Sequence, residues 1–145
     1  MFSIETANNK DLTSFDTIIF GSALYAGKMK GKEFLDQTID KNLVIFTVGL
    51  SDPEVTDYSE IMKMSLSTQA ISKAKIYHFF GGMTINQMSF MDRMLMRMMK
   101  KMKFDKTLES DQSTNFKLMM KHYYEEFNYF EESAINELVA AMENI

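Results

Sequence analysis

Three short apolar runs, each closed by glycine, constrain the fold of this chain more than any other feature. They lie at Thr17–Gly21, Leu43–Gly49 and Lys75–Gly82. β-Branched and aromatic residues fill these runs almost without interruption, which is typical of strands that are buried on both faces. Helical patterns separate the runs, so the order of elements indicates βαβ units with right-handed crossovers. The sequence therefore predicts an α/β protein built on a doubly wound parallel sheet.

The helical patterns differ in length and strength. They lie at 28–41, 54–73, 87–103, 115–126 and 131–144. Asp52 is expected to cap the second of these helices, with Pro53 in its first turn. The run Met1–Ile4 is compatible with a further short strand. No repeat, linker or domain boundary interrupts the chain, which predicts a single domain over 1–145.

Composition excludes several classes of function. The 145 residues contain no cysteine, so disulfides, thiolate zinc sites and cysteine nucleophiles are ruled out. A net charge of −4 disfavours general binding of nucleic acid. The sequence shows no signal peptide and no apolar run of the ~18 residues that span a bilayer. We expect a cytoplasmic protein with no metal site.

Two loops are the places where this fold predicts a ligand. In open parallel sheets, ligands bind beyond the carboxyl ends of the strands, which directs attention to Gly21–Met29 and Gly49–Glu54. The first loop places small residues and one aromatic ring, that of Tyr25, between two glycines. Such a loop allows the backbone to approach a flat ligand on which Tyr25 stacks. The alternative is a strand-to-helix turn that binds nothing.

Three segments resemble a known family. Leu12–Lys28 reads LTSFDTIIFGSALYAGK and is similar to the third-strand segment of flavodoxin-domain proteins. Ala74–Gly82 with Met88–Met94 resembles the last long strand of one subgroup and the basic insertion that follows it, and Phe130–Leu138 resembles the C-terminal helix. The subgroup is that of the flavodoxin-type, quinone-dependent protoporphyrinogen oxidases. The likeness covers about residues 1–104 and 127–145, with the stretch at about 87–104 as an insertion.

The resemblance implies a flavodoxin-like fold and a non-covalently bound FMN that transfers electrons. It also implies an FMN-dependent oxidoreductase that acts on protoporphyrinogen IX with a quinone as redox partner. Two segments would flank the isoalloxazine ring. The first consists of Ser22, Ala23, Leu24, Tyr25, Ala26 and Gly27, and the second of Gly49, Leu50, Ser51 and Asp52.

One departure from the family pattern concerns the phosphate. Family members begin with a central strand and a Ser/Thr/Gly-rich turn whose helix N-terminus holds the FMN phosphate. The first 20 residues here contain no glycine and no such strand–loop–helix. We therefore expect an N-terminally truncated flavodoxin-like domain in which the first strand and helix are missing, and weak FMN binding or none. The strand at 17–21 would then have an unpaired edge. A mis-set translation start, a degraded gene or a partner chain that supplies the strand would each explain the departure.

The methionine-rich segment 87–103 predicts a basic amphipathic helix. At 100° per residue, its basic residues share one stripe, and its apolar residues occupy the opposite side. The basic residues are Arg93, Arg97, Lys100 and Lys101. The apolar residues are Met91, Met94, Leu95, Met98 and Met102. One interpretation is a helix packed on the domain with its cations in water. The other is a surface that binds the inner face of an anionic membrane or a partner protein.

The remaining polar residues carry weaker indications. His78 lies within the third strand, where a buried, hydrogen-bonded histidine is favoured over a catalytic one. His122 is expected at the surface, because its neighbours do not form a metal site. Asp52 and Glu54 could transfer protons, although a helix cap explains Asp52 more simply. Two functions thus stay open: an FMN-dependent oxidoreductase or electron-transfer domain, and a cofactor-free remnant or interaction module that acts through the basic helix.

Overall fold

The computed structural model describes residues 3–7, 11–25, 27–38, 40–54, 56–108, 112, 117–118, 120, 123 and 126–143. They fall into two units. The first unit comprises Met1–Gly49, Asp57–Phe79 and Glu131–Ile145, and the second comprises Leu50–Thr56 and Phe80–Phe130. Most of the predicted helix at 115–126, with His122, lies outside the described residues.

A four-stranded mixed sheet forms the centre of the first unit. Its order is β2 (Lys28–Met29), β1 (Thr17–Tyr25), β3 (Asn42–Gly49) and β4 (Lys75–Phe80). β1 and β3 run parallel in a register that continues to the pair Ala23 and Val48. Helices connect and cover these strands, so the α/β fold predicted from the sequence is confirmed.

The two long strands differ in how they are buried. β3 is inaccessible on both faces in its centre, where Val44 and Ile45 have almost no exposed surface. β1 instead alternates, because Ile18 and Phe20 are buried while Ile19 is exposed. The sequence predicted burial of both faces for β1, and this was wrong, because only the face that carries Ile18 and Phe20 lies in the core of the first unit. On the side away from β3, described residues pair with β1 only at Leu24 and Tyr25.

One core holds the first unit together. Apolar residues of β1 and β3 pack there against a 3₁₀ segment at Lys32–Thr38 and against helices α2 (Ser59–Ser65) and α3 (Thr68–Lys73). The buried members are Ile18, Phe20, Met29, Phe34, Leu35, Leu43, Ile45, Met62, Leu66 and Ala70. The same unit contains α1 (Ile4–Ala7), a 3₁₀ turn at Glu132–Ile135 and α5 (Asn136–Glu143). Ile4 therefore lies in a helix and not in a further strand.

The predicted helix at 54–73 is two shorter helices, and it begins later than expected. Asp52 does not cap a helix; its Oδ1 accepts from the Glu54 N–H at 2.9 Å, in a turn. α2 starts after Asp57, whose Oδ1 accepts from the Ser59 N–H at 2.9 Å. This bonding to Ser59 lowers the pKa of the Asp57 carboxyl. The aspartate that sets the helix start is thus Asp57.

The second unit is built around methionines. Its helix α4 (Phe90–Met99) continues into a π-helical segment at Lys100–Phe104, in agreement with the helix predicted at 87–103. A two-stranded antiparallel sheet pairs β5 (Gly82–Met83) with β6 (Phe127–Asn128), and Ile85–Gln87 forms a 3₁₀ turn. The buried core consists of Met83, Met96, Met120, Tyr123 and Phe127.

Close packing explains one glycine of the second unit. A methyl group at Gly82 would lie 2.7 Å from the carbonyl oxygen of Phe127, so only glycine allows β5 to approach β6 this closely. Within the part of the chain that is described, no helix is long and apolar enough to cross a bilayer.

Candidate functional site

The first predicted site segment is a β-hairpin and not a strand-to-helix turn. β1 runs four residues beyond Gly21, so that Ser22, Ala23, Leu24 and Tyr25 all belong to the strand. Tyr25 then pairs with Lys28 across a two-residue turn. Gly27 stands in this turn with φ +74°, a left-handed conformation that glycine adopts without strain. Ala26 lies outside the described residues.

Ser22 stabilises this hairpin. Its side chain is buried, and its hydroxyl donates to the carbonyl oxygen of Lys30 at 2.9 Å. The same oxygen accepts from the Lys30 N–H at 3.0 Å. Both polar backbone groups of Lys30 are therefore satisfied by one side chain, which holds the returning strand in place. The hydroxyl of Ser22 is thus directed into the protein.

An exposed apolar surface lies at the carboxyl end of β1 and β3. Ala23 and Tyr25 point to the face opposite the core, and Ala23 is paired in register with Val48 of β3. Tyr25 is 46% exposed and Val48 is 38% exposed. The Lys30 ammonium lies 4.9 Å from the centroid of the Tyr25 ring, within the range of a cation–π contact. We call Ala23, Tyr25, Val48 and Gly49 the strand-end surface.

Leu24 borders this surface and contacts its member Gly49. Leu24 points to the other face and packs against the core of the first unit. A methyl group at Gly49 would lie 3.5 Å from the Leu24 side chain, which is an ordinary contact. The backbone conformation at Gly49 and the space around it would thus accept a larger residue.

The other predicted segment, Leu50 to Asp52, belongs to the second unit. Leu50 packs against the methionine-rich core. Asp52 forms the turn described above, and both it and Ser51 are half-buried. The proposed contact of these residues with a flavin stays a sequence prediction.

A polar cluster at β3 and β4 was only partly anticipated. His78 was predicted to be buried and hydrogen-bonded; it is half-buried, and its Nδ1 lies 2.6 Å from the hydroxyl of the inaccessible Thr47. The ring of Tyr58 stacks on the imidazole with centroids 3.8 Å apart. Burial lowers the pKa of His78, which favours a neutral imidazole at pH 7. Thr47 and Tyr58 carried no signal in the sequence, because only the tertiary fold brings them to His78.

The basic helix presents two different surfaces. Arg93, Arg97, Lys100 and Lys101 line one cavity of the second unit. The helix packs on the core through Met96, with Met99 half-buried beside it. The apolar residues predicted on the side opposite the cations are all exposed: Met91, Met94, Leu95, Met98 and Met102.

Comparison with known proteins decides the family. A family model described as a flavodoxin domain matches residues 1–110, about three quarters of the chain. The chain belongs to the flavodoxin-domain family. No curated protein and no solved structure gives a significant match. The match spans the whole β-sheet of the first unit and α4 of the second, so the resemblance found in the sequence is confirmed at the level of the family.

The family typically binds FMN, and the residues of the first unit fit one part of this cofactor. The strand-end surface offers an exposed aromatic ring and small side chains at the carboxyl ends of parallel strands, where such sheets bind ligands. Among the described residues of the first unit, the phosphate has no comparable place: a hairpin follows β1, and α1, with four residues, is the described helix that precedes it. The described residues of this flavodoxin domain thus fit the ring better than the phosphate.

Proposed function

We propose that this flavodoxin domain binds FMN through its isoalloxazine ring at the strand-end surface and serves a redox function. The observation that carries the proposal is the half-exposed ring of Tyr25 beside Ala23, Val48 and Gly49. Exposed aromatic and apolar side chains at a strand end are what a planar ring needs for stacking.

Each residue of this surface has a distinct task in the proposal. Tyr25 stacks on the flavin, and for this the Lys30 ammonium moves off the tyrosine ring. The small side chain of Ala23 and the absence of one at Gly49 let the ligand approach the backbone. The bound flavin supplies electron transfer, and the chain binds it, orients it and shields one of its faces from water.

The proposal is tested by titrating the purified chain into FMN and following flavin fluorescence. Tyr25→Ala removes the stacking contact, and such contacts are worth about 1–3 kcal/mol, or roughly a 5- to 150-fold loss of affinity. Phe15→Ala is the matched control, because Phe15 is 42% exposed and lies before the amino end of the same strand. An affinity that is equal in the two variants would remove Tyr25 from the site.

We infer in addition the substrate class to test first. The resemblance of Leu12–Lys28 and Met88–Met94 to the quinone-dependent protoporphyrinogen oxidases supports protoporphyrinogen IX as electron donor and a quinone as acceptor. The assay is porphyrin fluorescence, with the FMN-loaded chain and a soluble quinone. Oxidation that depends on both FMN and quinone supports this substrate class. If the chain binds FMN but does not oxidise protoporphyrinogen IX, the function that remains is that of an electron-transfer domain.

A second candidate function rests on the apolar face of α4. Met94 is 49% exposed and Met98 is 50% exposed, one turn apart on a face that also includes Met91, Leu95 and Met102. Arg97 and Lys101 border this face. Apolar residues flanked by cations are typical of helices that lie on an anionic bilayer, where each cation contributes about 1 kcal/mol. We propose an anionic membrane surface as the occupant of this face.

Flotation with phosphatidylglycerol vesicles tests this second candidate. Met94→Ser with Met98→Ser is expected to reduce binding at least about fivefold, since two apolar side chains no longer enter the lipid. Met64→Ser is the control, because Met64 is 61% exposed on a different helix. Binding that survives in the double variant, or that falls equally in the control, would contradict the membrane function.

A further inference from the structure

A cavity of about 620 Å³ lies in the second unit, on the polar side of the basic helix. α4 and its π-helical continuation form one wall, and residues Thr84, Ile85 and Asn86 form another. Tyr123 and Glu126 complete the lining. This volume lies within the range of sites for small molecules. The cavity is lined by residues of the second unit, whereas the strand-end surface belongs to the first.

The cavity has an excess of positive charge. Two acidic residues line the cavity together with four basic ones, so the positive charge is only partly balanced. Of the two acidic residues, Asp105 pairs with Lys100 at 3.0 Å, and Glu126 accepts a hydrogen bond from the Thr84 hydroxyl at 2.9 Å. Neither of the ion pairs among the described residues includes Arg93, Arg97 or Lys101. These cations thus stand together in a chain whose net charge is −4. Clustered like charges repel each other, and a bound anion relieves that repulsion.

The backbone places the cations side by side. Arg93 and Arg97 are four residues apart on α4, so they lie on the same face, one turn from each other. The following segment is π-helical and is closed by a hydrogen bond from the Asp105 N–H to the Lys100 carbonyl at 2.9 Å. Its consecutive residues Lys100 and Lys101 both line the cavity. Such π-helical turns occur frequently at functional sites.

We propose that this cavity binds a small molecule that carries a diphosphate or a phosphate ester. Two guanidinium groups one turn apart match oxygen atoms on neighbouring phosphates, because the planar fork of arginine forms paired hydrogen bonds with such oxygens. Lys101 adds a third charge, and the amide of Asn86, which also lines the cavity, is a neutral donor. A multiply charged phosphate suits the three cations better than a single carboxylate does.

The test is calorimetric titration of the purified chain with inorganic pyrophosphate. We expect saturable binding of one pyrophosphate per chain, weakened at least about tenfold in Arg97→Gln and in Lys101→Gln. Lys106→Gln is the matched control, because it removes the same charge from an exposed residue of the turn after this segment, and Lys106 does not line the cavity. A chain without saturable binding would overturn the proposal, and so would an equal loss in the control.

The phosphate of a lipid headgroup has the same chemistry, and a second comparison separates the two sources. Met94→Ser with Met98→Ser changes the apolar face and leaves the cavity lining intact. If the ligand is a free phosphate compound, pyrophosphate binding is unchanged in this double variant. Binding of phosphatidylglycerol vesicles by a chain that does not bind pyrophosphate would overturn the cavity site and leave only the membrane surface. FMN itself carries a phosphate ester, so the strand-end surface is tested with riboflavin, whose binding depends on neither outcome.

Discussion

Replacement of Gly21 by alanine tests the packing of the central sheet. The ring of Phe46 lies over this glycine, and a methyl group there would be 2.7 Å from Cε2 and 2.8 Å from Cε1 of the ring. Carbon atoms require about 3.5–4.0 Å, so the ring has to move by roughly 1 Å. Phe46 is half-buried and also contacts Phe79, with centroids 5.9 Å apart, which limits this movement. We expect Gly21→Ala to cost about 1–3 kcal/mol of unfolding free energy.

Urea unfolding measures this cost. With an m value of about 2 kcal/mol/M, the transition should shift by roughly 0.5–1.5 M. The double variant Gly21→Ala with Phe46→Leu isolates the clash, because leucine does not reach over Gly21. If the structure is right, the double variant is at least about 0.5–1 kcal/mol more stable than the sum of the single effects predicts. Strict additivity, or a neutral Gly21→Ala, would refute the placement of Phe46 over Gly21.

Three further predictions concern other parts of the first unit. Ser22→Ala removes the hydroxyl that bonds both the N–H and the carbonyl of Lys30 and should lower the unfolding free energy by about 0.5–1.5 kcal/mol in urea titrations, because water replaces the hydroxyl at the exposed Lys30. Ser67 caps α3 by accepting from the Ala70 N–H at 3.2 Å, so Ser67→Ala should cost about 0.5–2 kcal/mol while Ser67→Gly costs only a few tenths. Because burial lowers the pKa of His78 in the folded chain, the unfolded chain binds its proton more readily. Stability should therefore fall as the pH decreases below about 6.5, and the difference between wild type and His78→Asn in urea midpoints against pH isolates this dependence.

The strands could be predicted from the sequence where burial is continuous. Asn42–Gly49 matches the predicted strand almost to the residue, because its apolar run is enclosed on both faces in the centre. β1 was predicted too short for a physical reason: Gly21 is a signal for a strand end, but here it makes room for the Phe46 ring. Glycine at a crowded position and glycine at a turn look the same in a sequence.

The helix boundaries were less predictable. Asp52 followed by Pro53 is a good start signal, yet the carboxylate of Asp52 bonds two residues ahead in a turn, and Asp57 does the same at the start of α2. Both aspartates offer the same local chemistry, and tertiary packing of α2 on the sheet decides between them. The residues of α4 that pack inward were also not identified, since a helix composed largely of methionine has more than one apolar face.

The flavin site itself stays a prediction, and the structure bears only on where its residues lie. The rule that ligands bind at strand ends directed attention to Tyr25, and this residue is exposed at the end of β1. The same rule gave no information on Ser22, whose hydroxyl is bonded within the hairpin, because side chains of successive strand residues point to opposite faces. The cavity beside Arg93 and Arg97 depends on residues from Thr84 to Glu126, and no local pattern brings these together.

A comparison of FMN with riboflavin tests the central claim most directly. In our proposal the strand-end surface binds the flavin ring, and the described part of the first unit offers the phosphate no helix N-terminus of the usual kind. The purified chain should therefore bind both flavins, with affinities within about threefold of each other, and Tyr25→Ala should weaken both. Absence of flavin binding, or flavin binding that is indifferent to Tyr25→Ala, would contradict the account.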